Sequence, residues 1–249
     1  MIIKEKFKDL RSSGFVVNRF IYHCLKYCWF GVKFFTNGRF RSETLIATLF
    51  ERKSHQISTF TIQNRYPVLF QECAQYLSNV KNPQILSFGC STGEEVFALN
   101  KYIPNATIVG VDINRWCLRQ ARENNKNVAN TFIHRNSKEF KNVHDFDIIF
   151  CMAVFQRTEN RTSNNNSTAQ GFLFEEFEAE VECLNRKLKS GGLFVIDHSD
   201  FNFTETSCAS LYTPLSFEGN TIFRNRPLFD RNNQKVSDSR YLSRVFLKS

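Results

Sequence analysis

The eight cysteines include no Cys-x-x-Cys pair, and several of them lie inside apolar runs. A zinc site or a disulfide framework depends on suitably spaced cysteines, whereas a cysteine inside an apolar run behaves as a small hydrophobic residue. The cysteine pattern therefore argues against both kinds of site. It predicts a protein of the reducing cytoplasm that has no metal centre.

Long uninterrupted apolar runs are also absent. The most apolar stretch, residues 15–35, is interrupted by several polar and basic residues, among them Arg19, His23, Lys26 and Lys33. A membrane-spanning helix needs about 20 mostly apolar residues, and a secretory signal needs a clean apolar region. The stretch is therefore expected to be neither.

On a helix, the four basic residues of this stretch share one face, and the rest of the helix surface is broadly apolar. Two interpretations remain open. The helix could pack on the rest of the chain, or cover its pocket, with the basic stripe in water. Alternatively, residues 1–40 could lie against an anionic membrane surface as a peripheral contact, or grip a partner.

Acidic residues are scarce in the first quarter of the chain. Residues 1–66 hold 12 Lys and Arg against 4 Asp and Glu, whereas residues 67–249 hold 21 against 20, within a total net charge of +9. An enzyme that acts on nucleic acid is expected to spread basic charge around its substrate cleft. The charge distribution therefore argues against nucleic acid as a partner.

Neither a Gly-x-Gly-x-x-Gly fingerprint nor a Gly-Lys-Ser/Thr phosphate loop is present, yet a glycine-containing turn stands out. The apolar run Ile85–Phe88 is broken by Gly89, Ser91 and Gly93, and a helical pattern begins at Glu94. Glycines let the backbone approach a ligand closely, and a helix N-terminus offers unpaired N–H groups. Strand, turn and helix together are typical of a nucleotide-type pocket.

A second apolar run, Thr107–Ile113, contains Asp112, 19 residues after Gly93. In a βαβ unit, an acid at the tip of the second strand can accept hydrogen bonds from both hydroxyls of a ribose. The turn and the acid at this spacing point to a cofactor that contains a nucleoside.

With these two motifs, the sequence resembles the class I S-adenosylmethionine-dependent methyltransferases over roughly residues 85–197. The string Gly-Cys-Ser-Thr-Gly-Glu-Glu at 89–95 is similar to the cofactor loop of chemotaxis-receptor glutamate methyltransferases, and Phe146–Cys151 resembles their fourth strand. The resemblance implies S-adenosylmethionine as the cofactor. It implies that the methionine and ribose of the cofactor contact Gly89, Cys90, Ser91 and Gly93, and that its ammonium group contacts Glu94. The ribose is also expected on Asp112, and the adenine on Ile113, Asn136 and Ser137. Cys151 and Met152 are expected beside the methyl group.

The acceptor is less well defined by the sequence. The segment Cys151–Phe155 lacks the Asn/Asp-Pro-Pro-aromatic signature of enzymes that methylate adenine N6, cytosine N4 or glutamine, and Met152-Ala153 replaces the Arg-Asn pair of the receptor methyltransferases. A small molecule is the predicted acceptor. A protein carboxyl or side-chain methyltransferase, and a catalytically silent scaffold that binds the cofactor, are the alternatives.

Acceptor-side candidates lie at three places in the chain. Asp197 and His198 end the fifth predicted strand, and a histidine there could act as a general base, or simply satisfy a local carbonyl beside a capping Asp197. Arg65 and Tyr66 precede the sheet and could hold the cofactor carboxylate or frame the acceptor, or form a hinge. Arg157 follows the fourth strand and is a further substrate-side candidate.

From Ile85 onward, segments with a strand pattern alternate with segments with a helix pattern, which predicts an α/β fold with a parallel sheet covered by helices on both faces. The resemblance makes this a Rossmann-like, seven-stranded methyltransferase sheet that closes with an antiparallel C-terminal hairpin. Residues 1–80 are predicted to form a basic, mainly helical extension or lid, and residues 81–249 the methyltransferase domain. The polar tract 157–171 is predicted to be a mobile loop, either a lid or an inert insertion. Strands are expected near 85–89, 107–113, 131–135, 146–152, 192–197, 220–225 and 241–248, and helices near 94–102, 114–125, 172–189 and 203–212.

Overall fold

The computed structural model describes residues 12, 14–49, 59, 61–157, 160, 166–168, 171–216, 227–236 and 243–249. The chain divides into two compact units, Met1–Leu45 and Ile46–Ser249. The predicted functional boundary at residue 80 remains a prediction.

The first unit contains the helix predicted across residues 15–35. Helix α1 spans Val16–Thr36, and Asn37 separates it from helix α2, Gly38–Leu49. The Asn37 side chain accepts the N–H of Phe40 at 2.9 Å and so caps the second helix. In the described part of the chain, no helix combines the length and the apolarity needed to cross a membrane.

The second unit is built around one seven-stranded sheet. Its strands are β1 Gln84–Phe88, β2 Thr107–Asp112, β3 Asn130–His134, β4 Phe146–Met152, β5 Leu188–Asp197, β6 Tyr212–Pro214 and β7 Val245–Lys248. They lie in the order β3-β2-β1-β4-β5-β7-β6. Strands β1 to β5 pair in parallel, and β7 pairs antiparallel with both β5 and β6. The predicted mostly parallel α/β sheet with antiparallel C-terminal strands is thereby confirmed. The helices of this unit are α3 Pro67–Tyr76, α4 Glu94–Tyr102, α5 Arg115–Asn124, α6 Lys138–Asn142 and α7 Phe174–Asn185.

The central strands read as continuous apolar runs because both faces of the sheet are covered. One hydrophobic cluster joins alternate strand residues such as Leu86 and Ile149 to helix α7. The other joins Ile85 and Ile148 to helices α3 and α4. Strands β1, β4 and β5 are neighbours that pair in parallel, so their carboxyl ends lie side by side at one edge of the sheet.

Much of the unusual phenylalanine content lies beside the strand ends in one ring cluster. Phe155 stacks on Phe172 with centroids 6.5 Å apart, and it meets Phe177 edge-to-face at 5.2 Å. Phe201 in turn contacts Phe172 and Phe177 at 5.6 and 5.5 Å. These spacings are those preferred by aromatic pairs, so the cluster is a packed core that supports the loop after β4.

Two predicted elements need correction, and a third cannot be compared with the structure. The helix expected over 172–189 ends at Asn185, because Leu188 already pairs with Phe146 as part of β5. The helix expected over 203–212 is two short 3₁₀ turns, Phe203–Glu205 and Ser207–Leu211. The edge strand that pairs with β7 is β6, while the strand expected at 220–225 lies outside the described residues.

The described part of the polar tract is anchored to a neighbouring turn. Asn160 and Thr168 are buried, although the composition of the tract predicted a solvated loop. Thr168 donates its backbone N–H to the Asn233 carbonyl at 3.0 Å and its hydroxyl to Asn233 Oδ1 at 3.0 Å. Whether the tract acts as a lid remains a prediction.

Candidate functional site

The glycine turn after β1 is held tightly to the neighbouring strand. The N–H groups of Gly89 and Cys90 both donate to the Val111 carbonyl, at 2.7 and 2.9 Å. Gly89 and Gly93 adopt φ values of +80° and +95°, and Ser91 is also left-handed at +50°. Such conformations are costly for residues with a side chain, and they often accompany functional sites.

Gly89 also has no room for a side chain, since an added Cβ would lie 2.7 Å from Val154 Cγ2. We expect Gly89→Ala to lower the midpoint of thermal unfolding and to abolish binding of S-adenosylhomocysteine, the demethylated form of the cofactor implied by the resemblance. Gly191 is a matched control, because it has φ +75° but open space around an added Cβ. Gly191→Ala should incur only the left-handed penalty, about 1–2 kcal/mol, and should bind normally in calorimetry.

Asp112 at the tip of β2 connects the glycine turn to the next loop. Its Oδ2 accepts the N–H of Ser91 at 2.8 Å, and its Oδ1 accepts the N–H of Asn114 at 2.7 Å. Burial raises the pKa of Asp112 above its usual value, and the backbone hydrogen bonds oppose that rise because they favour the carboxylate. Asp112 is therefore oriented by the backbone before any ligand binds.

Two adjacent acids at the start of α4 point to different partners. The carboxylate of Glu94 accepts the Thr92 hydroxyl at 2.7 Å. Glu95 instead accepts the hydroxyl of the buried Ser87, in β1, at 2.7 Å. Burial raises the pKa of Glu95 to about 7, while the Ser87 hydrogen bond and the nearby Arg65 charge oppose the rise. Glu95 is thus tied to β1 through Ser87.

A histidine links the residues expected on the adenine side. His134 Nε2 is 3.0 Å from the carbonyl of Ile113, and its Nδ1 accepts the N–H of Asn136 at 3.2 Å. Burial lowers the pKa of His134, which favours the neutral ring that this pairing requires. The Ser137 side chain accepts the N–H of Phe140 at 3.2 Å and caps α6, so its hydroxyl already has a structural role.

At the end of β5, the structure brings together four residues that the sequence proposed separately. Arg65 Nη2 lies 3.2 Å from His198 Nε2, and the Tyr66 hydroxyl lies 2.9 Å from His198 Nδ1. Asp197 Oδ1 accepts the His198 N–H at 2.7 Å, and its Oδ2 accepts Arg244 Nη1 at 3.2 Å. The left-handed φ of +54° at His198 is a further local strain at these strand ends.

The protonation state of His198 follows from its partners. A guanidinium has only donors, so Nε2 must accept from Arg65, and the ring proton is assigned to Nδ1. Nδ1 then donates to the Tyr66 oxygen, with Asp197 Oδ2 3.5 Å away. The imidazole is therefore neutral, and its basic nitrogen faces Arg65.

Other predicted site residues lie deeper in the protein. Cys151 is fully buried in a hydrophobic cluster and Cys90 and Met152 are nearly so. Burial raises the pKa of both thiols, which are therefore inert at neutral pH. Arg157 is also buried, and its backbone N–H donates to Asp200 Oδ2 at 2.7 Å. Groups of His, Cys, Asp and Glu arranged to hold a metal ion are absent from the described residues.

Sequence reasoning missed three residues of this site. Glu95 was not proposed, although it is adjacent to Glu94, whose expected contact with the cofactor ammonium stays a prediction. His134 gave no signal because its role depends on two loops that meet in space. Arg244 is 47 residues from Asp197 in the chain, and only the antiparallel pairing of β7 with β5 brings it close.

Comparisons with known proteins identify the family. Residues 79–232 match the model of a family described as a methyltransferase domain. Over 88 residues the chain is 33% identical to a trans-aconitate 2-methyltransferase of Afipia carboxidovorans, a match that covers 35% of this chain and 34% of that relative. The aligned segment thus spans about a third of the curated relative.

Solved structures that the chain is similar to include two plantazolicin methyltransferases in complex with SAH. The enzyme BpumL has 18% identity and a TM-score of 0.40, covering 79% of this chain and 62% of that chain. The enzyme BamL has 18% identity and a TM-score of 0.41, covering 66% and 53%. Likeness at this level carries no information about the acceptor.

The sheet order, the glycine turn and the acid at the tip of β2 define a class I S-adenosylmethionine-dependent methyltransferase. With its match over residues 79–232, the chain belongs to the methyltransferase-domain family. Its cofactor is S-adenosylmethionine, and the site fits that molecule. Asp112 is held by two backbone N–H groups at the tip of β2, where an acid suits a ribose, and at Gly89 the turn packs so closely on Val154 that a side chain would not fit.

Proposed function

We propose that this methyltransferase acts on a small molecule whose acceptor oxygen or nitrogen carries a proton, and that His198 removes that proton. The observation that supports this most directly is the neutral His198 imidazole at the end of β5, with its basic nitrogen turned toward Arg65. A neutral imidazole can accept a proton near physiological pH, and Asp197 orients the ring.

The bound cofactor supplies an electrophilic methyl group on a sulfonium. The remaining task of the chain is alignment, because methyl transfer is an in-line displacement between acceptor, methyl and sulfur. We assign the ribose hydroxyls to Asp112 and the adenine to Ile113 and the Asn136-Ser137 turn. Gly89, Cys90, Ser91 and Gly93 are assigned to the backbone surface beneath the methionine, and Cys151 and Met152 to the wall at the end of β4.

Arg65 and Tyr66 are proposed to position the acceptor. Arg65 is exposed and bonds to His198 Nε2, the nitrogen that the acceptor proton must reach. An incoming acceptor would take over this hydrogen bond and leave the guanidinium free to hold a polar or anionic part of the same molecule. Arg157, with its backbone bonded to Asp200, is proposed to act from the loop after β4.

A relative named for a small substrate, trans-aconitate, supports the choice of a small acceptor, although it is matched over only part of its length. We further propose that residues 81–249 carry out the transfer, while residues 1–80 form an extension or lid that contributes Arg65 and Tyr66. A cytoplasmic location is part of the same proposal.

The ammonium group of the cofactor is assigned to Glu95 rather than Glu94, because Glu95 bonds to Ser87 in β1 whereas Glu94 is turned toward Thr92. The pKa of Glu95, raised to about 7, means that its protonated form stabilises the fold. This contribution is full below the ordinary carboxyl pKa of about 4.5 and is lost as the pH rises through about 7. A cation beside Glu95 favours the carboxylate, so cofactor binding should release its proton.

At pH 6.5 we expect S-adenosylhomocysteine binding to release most of one proton, measured by calorimetry in buffers of different ionisation enthalpy. Glu95→Gln should abolish the release, and the adjacent Glu94→Gln should retain it. Should Glu94→Gln abolish the release while Glu95→Gln preserves it, the ammonium belongs to Glu94. The apo Glu95→Gln protein should also lose less stability between pH 5 and pH 7 than the wild type.

The acceptor class is tested by the formation of S-adenosylhomocysteine with a panel of small hydroxy acids, phenols, polycarboxylates and amines. A parallel reaction with labelled cofactor and an extract separates small products from labelled protein. We expect label only in small molecules. Labelled protein would favour a protein carboxyl or side-chain methyltransferase, and cofactor binding without any methylated product would favour a silent scaffold.

A further inference from the structure

Helix α1 presents an unusually large exposed apolar surface. None of its described residues is buried, and Phe20, Tyr27 and Phe35 are 68%, 69% and 79% exposed. Several smaller side chains are exposed as well, including Val16, Val17 and Val32. Single exposed apolar residues are ordinary, but a continuous apolar face of this kind marks an interaction surface.

The helix is divided into two faces. At about 100° per residue, the basic side chains Arg19, His23, Lys26 and Lys33 fall within an arc of about 80°. An arc of about 180° on the other side of the helix contains only apolar and aromatic residues, glycine and cysteine, with Asn18 and Thr36 at its edge. Cys24 and Cys28, both exposed, lie near the middle of this apolar half. The helix is therefore amphipathic, with a basic face and a broad aromatic and aliphatic face.

The charges of this region are all of one sign. Between residues 10 and 42 the sequence contains no Asp or Glu, and Arg39 and Arg41 follow in α2. Lys33 Nζ lies 4.7 Å from the centre of the Trp29 ring and 4.3 Å from that of the Phe40 ring, so its ammonium makes cation–π contacts with aromatic side chains of this unit. A partner for the surface must accept apolar side chains and also supply a continuous negative charge.

From these features we infer that α1 lies on the surface of an anionic phospholipid bilayer, with its apolar face among the acyl chains and its basic stripe among the headgroups. An amphipathic helix rich in Lys, Arg and aromatic residues binds in this plane, and each of its basic residues is attracted by anionic lipid. A second copy of the chain could cover the apolar face, but it would bring a second basic stripe rather than a negative surface.

Sedimentation of the full-length protein with vesicles tests this inference. We expect partitioning onto phosphatidylserine–phosphatidylcholine vesicles at low salt, strongly reduced on pure phosphatidylcholine and by high salt. Arg19→Glu combined with Lys26→Glu should weaken partitioning at least about 25-fold, since each basic residue contributes about fivefold. As a control with the same charge change, Lys101→Glu combined with Lys126→Glu should stay within about twofold, because those exposed lysines belong to the other unit.

The native cysteines provide an independent readout of the orientation. Anionic vesicles should protect Cys24 and Cys28 from a water-soluble maleimide, while Cys183, partly buried beside the sheet, should be unaffected. Failure of the full-length protein to bind anionic vesicles at low salt would overturn the inference. So would binding with both cysteines still reactive, or self-association that protects them in the absence of lipid.

Discussion

Replacement of Asp112 by alanine is expected to weaken S-adenosylmethionine binding by about 1.5–3 kcal/mol, which corresponds to about 10- to 150-fold in Kd. The carboxylate is assigned to the ribose, and its two oxygens also accept the N–H groups of Ser91 and Asn114. Its loss removes the ligand contact and frees the glycine turn from β2. Calorimetric titration of the folded variant with S-adenosylhomocysteine measures the effect.

The control removes a different acid from the neighbouring helix. Glu123→Ala takes away an exposed carboxylate of α5 and should change neither the affinity nor the midpoint of thermal unfolding appreciably. Asp112→Asn should bind almost as poorly as Asp112→Ala, because its amide N–H₂ would face a backbone donor at Ser91 or Asn114. Unchanged affinity in folded Asp112→Ala would remove Asp112 from the cofactor site.

Replacement of His198 by glutamine is expected to lower kcat by about 10²- to 10⁴-fold, the usual effect of losing a general base. Affinity for S-adenosylhomocysteine should change little, since His198 is assigned to the acceptor side. Initial rates are measured with the best acceptor from the small-molecule panel. His144→Gln is the matched control, because His144 is exposed and pairs only with its neighbour Asp145 among its described contacts.

Arg65→Ala separates positioning from proton transfer in the same cluster. It should raise KM for the acceptor more than it lowers kcat, because the guanidinium is proposed to hold the acceptor rather than to take its proton. Full kcat/KM in His198→Gln would show that the His198 cluster only joins the segment before α3 to the end of β5. The acceptor would then be one that needs no base.

The glycine turn and Asp112 were predictable because they depend on short-range pattern. Each lies at the end of an apolar run, and parallel strands place their carboxyl ends at one edge of the sheet. The choice between Glu94 and Glu95 was not predictable in this way. Adjacent helical residues point about 100° apart, so the hydrogen bond to Ser87 decides which acid faces β1.

Contacts between residues far apart in the chain account for the other differences between the sequence predictions and the structure. Tyr212–Pro214 is too short to give a strand signal, and it becomes a strand only because β7 is available to pair with it. The contacts of His198 with Arg65 and Tyr66 join positions more than 130 residues apart. The sequence proposed all three residues as candidates but could not show that they form one cluster.

A crystal structure of the full-length protein with S-adenosylhomocysteine tests the central assignment most directly. We predict the ligand at the carboxyl ends of β1 and β2, with both ribose hydroxyls on Asp112 and the ammonium within hydrogen-bond distance of Glu95. The sulfur should point toward the space between Met152 and His198. A ligand bound elsewhere, or in this cleft with its ribose away from Asp112, would contradict the account.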